Sequence, residues 1–290
     1  MGGILLAQVG KATSWPADST EPTRPNYRQL HGLFAVQTVL YTGTLYGLSK
    51  SWYKNPATRF SVADDAHEWK QLDKLGHLYT AYQISLLTAE LYKLTGISKK
   101  QAIFYGALSG FFFMTPIEIL DGFAPDYGFS PSDMVANVLG PTLFMGQYAL
   151  WDEIRIHPKF SFHHTPLAAE RPELLGSSWS ERWLKDYNGQ TYWFSASPRS
   201  FAPGSKWPGW LCFSLGYGIH DMVAAEVGKS TELGFVPYRQ YYLSLDVDFT
   251  KIKSRRKFVR TLGLLLNTLK VPAPALEVSK HGLRFRPLYF

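Results

Sequence analysis

The chain has 290 residues, enough for one large or two small domains, and a net charge of +7. Charged residues make up 18%, below the roughly 25% usual for soluble proteins, while aromatics reach 16% and mean hydropathy is −0.13. This balance excludes a chain built only of membrane-crossing helices and suits a mixed, membrane-associated architecture with aromatic rings at the water–lipid boundary.

Residues 1–26 are rich in Ser, Thr, Pro and Ala and read as an extended N-terminal arm. Leu5-Leu6-Ala7-Gln8 could be the tail of a signal peptide whose start is missing; no lipobox cysteine accompanies it. Tyr27 to Tyr53 predicts a helix with an uncharged middle, and with its flanks it reaches roughly the 20 residues that cross a bilayer. Its Gly32, Gly43 and Gly47 would allow close helix contact. A second helix is expected from Asp64 or Asp65 to just before Gly96. A third covers Ser98 to Leu120 with Ser98 as its cap, and a fourth follows Ser130-Pro131, kinks at Pro141 and runs toward Ile154.

Beyond Arg155 the periodicity changes. Residues 155–188 read as a long loop with short helical pieces, and strands are expected at Thr191–Ala196, Leu211–Tyr217 and Tyr241–Phe249. In the last of these Tyr241, Leu243, Leu245, Val247 and Phe249 share one face, with Ser244, Asp246 and Asp248 on the other. Ser254 to Lys270 returns to helical spacing, with Phe258, Leu262, Leu265, Leu266 and Leu269 on one side and a basic cluster at its start. A hairpin is framed around Lys280-His281-Gly282. Five strand-like runs are too few for a membrane barrel of about eight. Phe290 is similar to barrel endings, but Arg284 and Arg286 stand at alternate positions where apolar residues would be expected. The fold class is therefore α+β: a membrane-type four-helix core over 27–155, then a loop-rich region over 156–290 with a small antiparallel sheet packed on the helices and covered by an amphipathic helix.

Between Asp73 and Gly140 polar residues are set among apolar ones: Asp73-Lys74-x-x-His77, Glu118-x-x-Asp121-Gly122, and Gly128-Phe129-Ser130-x-x-Asp133-x-x-x-Asn137. Ionisable groups in such company need a partner. Asp73 and His77 share a helix face, where a carboxylate can orient an imidazole for acid–base work, or they are a helix-start acid and an interfacial base. Glu118 and Asp121 sit at a helix C-terminus, where acids oppose the helix dipole. They could hold a divalent cation, share a proton, or pair with Lys74 or His77 in a network joining helices two and three. Capping accounts for Ser130 and Asp133, and Asn137 reads as an interhelical hydrogen-bonder. His163-His164 lacks carboxylates at metal-site spacing. There is no nucleophile elbow, P-loop, dinucleotide-binding glycine pattern or HExxH, and lone Cys212 excludes a disulfide framework or cysteine zinc site.

This spacing resembles the VanZ-like proteins and, more closely, a group of predicted periplasmic lipoproteins typified by YfiM. Asp121-Gly122-Phe123 through Gly128-Phe129-Ser130, with Lys185-Asp186-Tyr187-Asn188-Gly189-Gln190-Thr191-Tyr192-Trp193, looks like the longer form found in Bacteroidetes. The resemblance implies a bacterial cell-envelope protein, at the outer membrane or periplasmic face, with a helical membrane-type core; it implies no particular reaction. It marks Asp73, Lys74, His77, Glu118, Asp121, Asp133 and Asn137 without assigning their roles.

Two readings follow. One is a structural or interaction component whose buried Asp/His/Glu network locks its helices, while the sheet and the Asn188–Trp193 segment meet a partner; membrane lipid and an envelope protein are the expected partners, with no nucleic acid. The other is a hydrolase or transferase acting on an envelope lipid or glycan. There His77 is general base, Asp73 orients it, and Glu118, Asp121 and Asp133 could hold a divalent cation.

Overall fold

Three of the four long helices begin where a side chain closes the first turn. In this computed structural model, which describes residues 25–53, 55–252 and 254–290, α1 is Tyr27–Trp52, α2 Leu72–Lys93, α3 Lys99–Gly122 and α4 Pro131–Trp151. The N-terminal arm before Pro25, with Leu5–Gln8, lies outside the described residues. Asn26 caps α1, Ser98 and Gln101 form a reciprocal capping box on α3, and Ser130 caps α4 with Pro131 in its first turn. α4 continues through Pro141 as one helix.

The chain divides into two compact units. One comprises residues through Asp65, Thr80–Asp152 and Lys253–Leu262; the other comprises Ala66–Tyr79, Glu153–Ile252 and Gly263–Phe290. In the helical unit, α3 is the one helix among the described residues that is long and apolar enough to cross a membrane. α1, expected to do so, has the length but is interrupted by Gln29, His31, Gln37 and several threonines. Its glycines also correct the sequence reading: a Cβ at Gly32, Gly43 or Gly47 would meet nothing within 4 Å. Close packing comes instead at Gly106 and Gly110 of α3, where a Cβ would collide with Ala89 and Ser85 of α2. Polar side chains share the interior here with Tyr82, Met114 and Phe144: Ser85, Thr88, Glu118, Asn137 and Gln147 are buried, while Phe34, Val39, Phe104, Phe112, Val135 and Leu150 are exposed.

The other unit is built on a six-stranded antiparallel sheet in chain order: β1 Ile156–Phe162, β2 Gln190–Ala196, β3 Leu211–His220, β4 Tyr238–Val247, β5 Ala273–Ser279 and β6 Gly282–Tyr289. The first strand lies in the stretch expected to be a loop. Its sequence Ile-His-Pro-Lys-Phe-Ser-Phe hides its pattern because nearly every residue is buried, including His157 and Lys159. Within residues 155–188 the helical pieces are short, among them Leu167–Glu170 and Trp179–Lys185. Leu72, Leu167, Leu175, Ile219, Met222 and Val223 form an apolar cluster with Trp69.

Two faces of the sheet differ in character: the buried one combines a polar set with Trp193, Tyr242 and Ala275, and the other is largely apolar. Ser195, Ser214, Gln240, Ser244, Asp246 and Glu277 point inward with Lys159, while Phe213, Leu215, Tyr241, Leu243, Leu245, Leu276, Val278, Leu283 and Phe285 face out. Arg284 and Arg286 thus fall into an inside-polar alternation, and Arg286 pairs with buried Glu277 at 2.7 Å. The sheet is strongly curled. β2 and β6 are four strand spacings apart, about 19 Å if flat, yet the Tyr289 and Thr191 hydroxyls lie 3.0 Å apart across the buried face. A strap at residues 267–271 follows: Lys270 N–H donates to Phe160 of β1, its ammonium donates to Leu245 of β4, and Val271 N–H donates to Asp246.

In the helix Lys257–Leu266, α5, Leu264 is buried while Phe258, Leu262, Leu265 and Leu266 are exposed, as is Leu269 beyond it. A second correction concerns the start of α2. Instead of a helix from Asp64 or Asp65, Trp69, Lys70 and Gln71 adopt left-handed conformations at φ 45°, 50° and 68°, each costing about 1–2 kcal/mol. The turn is held by buried Trp69 against Tyr187, by the Tyr217 hydroxyl donating to Lys70 O at 2.5 Å, and by Arg239 donating to Gln71 at 2.7 Å.

Lys159 and Asp246 are both fully buried, 3.0 Å apart. Removing one partner leaves the other charge stranded in a dry interior, at a cost of about 3–5 kcal/mol. We expect Lys159→Ala to lose stability of that order in denaturant unfolding, and Lys159→Met with Asp246→Leu to lose less than either single replacement.

Candidate functional site

The helical unit gathers carboxylates where α3 ends and α4 begins. α3 brings Glu118 and Asp121 to its last turn, three residues apart and on one side. The following loop is then pinned: Thr58 and Ser61 N–H donate to Phe123 and Gly122, and Ser61 and Ala63 exchange hydrogen bonds with Phe129. This pairing explains the glycines of the motif. A Cβ on Gly122 would lie 2.2 Å from the Phe60 ring, and Gly128, at φ 150°, packs against Ala63.

α4 then starts on Ser130, whose hydroxyl accepts from Asp133 N–H at 3.0 Å. Ser130 and Ser132 hydroxyls both donate to Asp65 Oδ1, at 2.6 and 2.8 Å. Asp65 was read in the sequence only as a helix start; the paired Asp64-Asp65 was the one signal for it. Asp133 offers an oxygen within 4.8 Å of one on Glu118 and of one on Asp65. Asn137, one turn further along α4, is fully buried. The Tyr53 hydroxyl donates to Asp121 at 2.6 Å and ties the end of α1 to the end of α3. Nothing in the sequence marked Tyr53, because a tyrosine 68 positions away shows no spacing to read.

Electrostatics in this cluster favour the proton. Burial, then the neighbouring Asp133 and Asp121 charges, push the Glu118 carboxyl up to about 9. Burial pushes Asp121 up to about 6, against the opposing Tyr53 hydrogen bond. At neutral pH Glu118 is therefore a neutral acid beside other carboxylates, a state that can share or store a proton. The same donor set, all hard oxygens, is of the kind that takes a divalent cation.

Asp73, Lys74 and His77 belong to the first two turns of α2, in the unit that carries the sheet. There Asp73 is buried, accepts from Lys74 N–H at 2.9 Å and pairs with the Lys74 ammonium at 2.8 Å. His77 follows one turn later and is half-buried. The segment expected to meet a partner, Asn188–Trp193, is instead mostly interior. Asn188 exchanges hydrogen bonds with Met222 at 2.7 and 2.8 Å and donates to Asp186, which also accepts from Thr165. That phrase fastens loops together.

Residues 63–149 match the family model described as Predicted periplasmic lipoprotein (DUF2279). The match takes in Asp65, Asp73, Lys74, His77, Glu118, Asp121, Ser130, Asp133 and Asn137, so that part of the chain is similar to a predicted periplasmic lipoprotein family of unknown function, a likeness consistent with a cell-envelope setting. No curated protein and no solved structure matches the chain.

The acid cluster sets a pH dependence. Between about 4.5 and about 9 the folded protein keeps the Glu118 proton that the unfolded chain has released, and Asp121 does the same between 3.8 and about 6. The folded state binds more protons there, so stability falls as pH rises through these windows. The melting temperature of wild type should decline toward alkaline pH, and Glu118→Gln should flatten the decline above neutrality. An unchanged slope in the variant would mean that Glu118 is ionised in the fold.

Proposed function

We propose that this is a membrane-associated component of the bacterial cell envelope, at the outer membrane or its periplasmic face, that works by interaction and not by catalysis. Lipid contact is supported by one observation above all: beside its apolar core each unit buries many polar side chains and leaves many large apolar ones exposed. In water the reverse arrangement is favoured, since exposed apolar area costs roughly 25 cal/mol per Å². The likeness to periplasmic lipoproteins agrees with that setting. The carboxylates then serve as ties: Asp121 joins α1 to α3 through Tyr53, and Asp65 joins the preceding loop to the start of α4.

The approach of Asp133 oxygens to one on Glu118 and to one on Asp65 supports a second reading, a hydrolase or transferase of envelope lipid or glycan that uses a divalent cation. Stability measurements separate the two. As ties, Asp121→Asn and Tyr53→Phe should each cost about 1–3 kcal/mol in thermal or denaturant unfolding, and added magnesium, calcium or manganese should leave wild type unmoved. A cation that stabilises wild type but not Glu118→Gln, with Asp121→Asn fully stable, would favour the enzyme reading and overturn the first.

A further inference from the structure

We propose that the outer face of the six-stranded sheet is a lipid-docking surface, its leucines and phenylalanines entering the acyl region of a bilayer while Lys70, Arg239 and Lys280 at one end of the strands engage anionic headgroups. This rests on the membrane reading above and names the surface that performs it.

The register makes the face continuous. Leu215 stands opposite Leu243, Leu243 opposite Leu276, and Leu276 opposite Phe285, so one unbroken apolar row crosses four strands. A second row, Tyr217, Tyr241, Val278 and Leu283, runs beside it, and Phe213 with Leu245 begins a third. Leu215, Leu283 and Phe285 are each more than 60% exposed. A water-facing antiparallel sheet alternates apolar-in and polar-out; the opposite alternation found here is that of strands solvated by lipid.

The two ends of the strands carry rings suited to the interface. Tyr217 packs on Tyr241 and Tyr238 on His281 at the hairpin end, while Trp207 stacks on Phe213 near exposed Trp210 at the other. Tyrosine and tryptophan favour the headgroup level because one part of each ring is apolar and the other wet. At the tyrosine end three cations converge. Arg239 donates to Gln71 at 2.7 Å and to the Tyr217 hydroxyl, which itself donates to Lys70 O, and the Lys70 pKa is lowered by burial and then by the charges of Arg239 and Lys280. Asp221, 4.0 Å from Lys280, offsets one of them.

This charge identifies the occupant. A second copy would bring the same three cations and the same net charge of +7 to the contact, whereas an anionic leaflet complements them. Among the described residues β6 pairs only with β5, leaving an edge of the sheet open. Open edges do not sit in hydrocarbon, so the face lies at the headgroup–acyl boundary.

The full chain can be tested with vesicles of phosphatidylethanolamine and phosphatidylglycerol. Wild type should cosediment with them, and Leu215→Glu with Leu243→Glu should weaken binding at least about tenfold with unchanged near-ultraviolet circular dichroism. Lys280→Gln should weaken binding and lower its salt sensitivity. Cys212 is buried, so a fluorophore at Leu215→Cys or Val278→Cys labels selectively. It should be quenched by brominated acyl chains, and a label at Glu232→Cys should not. Absence of any vesicle binding by wild type would overturn the membrane reading together with this one. Binding that persists in the double variant, with the Leu215 label still in water, would overturn only the assignment to the sheet. A lipid-free dimer that the double variant dissociates would assign the face to a second copy and overturn the proposal.

Discussion

The buried pair of Lys159 and Asp246 is the constraint around which the sheet is arranged. Two opposite charges with no exposed surface, 3.0 Å apart, tolerate burial only if the remaining polar valences are met nearby. Asp246 accordingly accepts from Ser195, Ser214 and Val271 N–H, and Lys159 donates to the Val247 carbonyl. Serines must therefore face inward on β2 and β3, and the strap at residues 267–271 must pass over the concave face. Since alternate residues of a strand point to opposite sides, placing the polar set inside puts Phe213, Leu215, Leu243 and Leu245 outside.

The helical unit follows the same logic with different materials. Its polar interior is joined by hydroxyl and carboxamide contacts, such as Gln37 to Thr88, Tyr92 to Gln37 and Tyr53 to Asp121. Where several acids meet, the protein keeps a proton on Glu118 and so avoids collecting like charges. The acids at the wrong end of α3 are thus accommodated by protonation and by a tyrosine, and Lys74 has its ion pair with adjacent Asp73. The left-handed turn at Trp69–Gln71 shows a similar compensation, local strain being offset by an indole in the apolar cluster and two long-range hydrogen bonds.

Much of the helical part was legible because its signals are local. Ser98 with Gln101, Ser130 with Pro131, and Asn26 act within one turn, so spacing alone exposes them. The sheet was legible where alternation is strict, as in β4, and illegible where both faces are covered, as in β1. Within the candidate site, Glu118 and Asp121 stand out as acids at a helix C-terminus. Tyr53 and Asp65 do not, since their roles come from contacts 65 or more positions distant.

By itself the sequence determined the α+β class, the helix starts, the polar residues set among apolar helices and the two-faced pattern of the strands, all of which depend on neighbours within a few positions. Only the tertiary structure decided which face of each strand turns inward. Periodicity separates two sets of side chains without saying which one water will meet. That choice lies in long-range pairing: a lysine on β1 finds an aspartate on β4, and the apolar set is left outside.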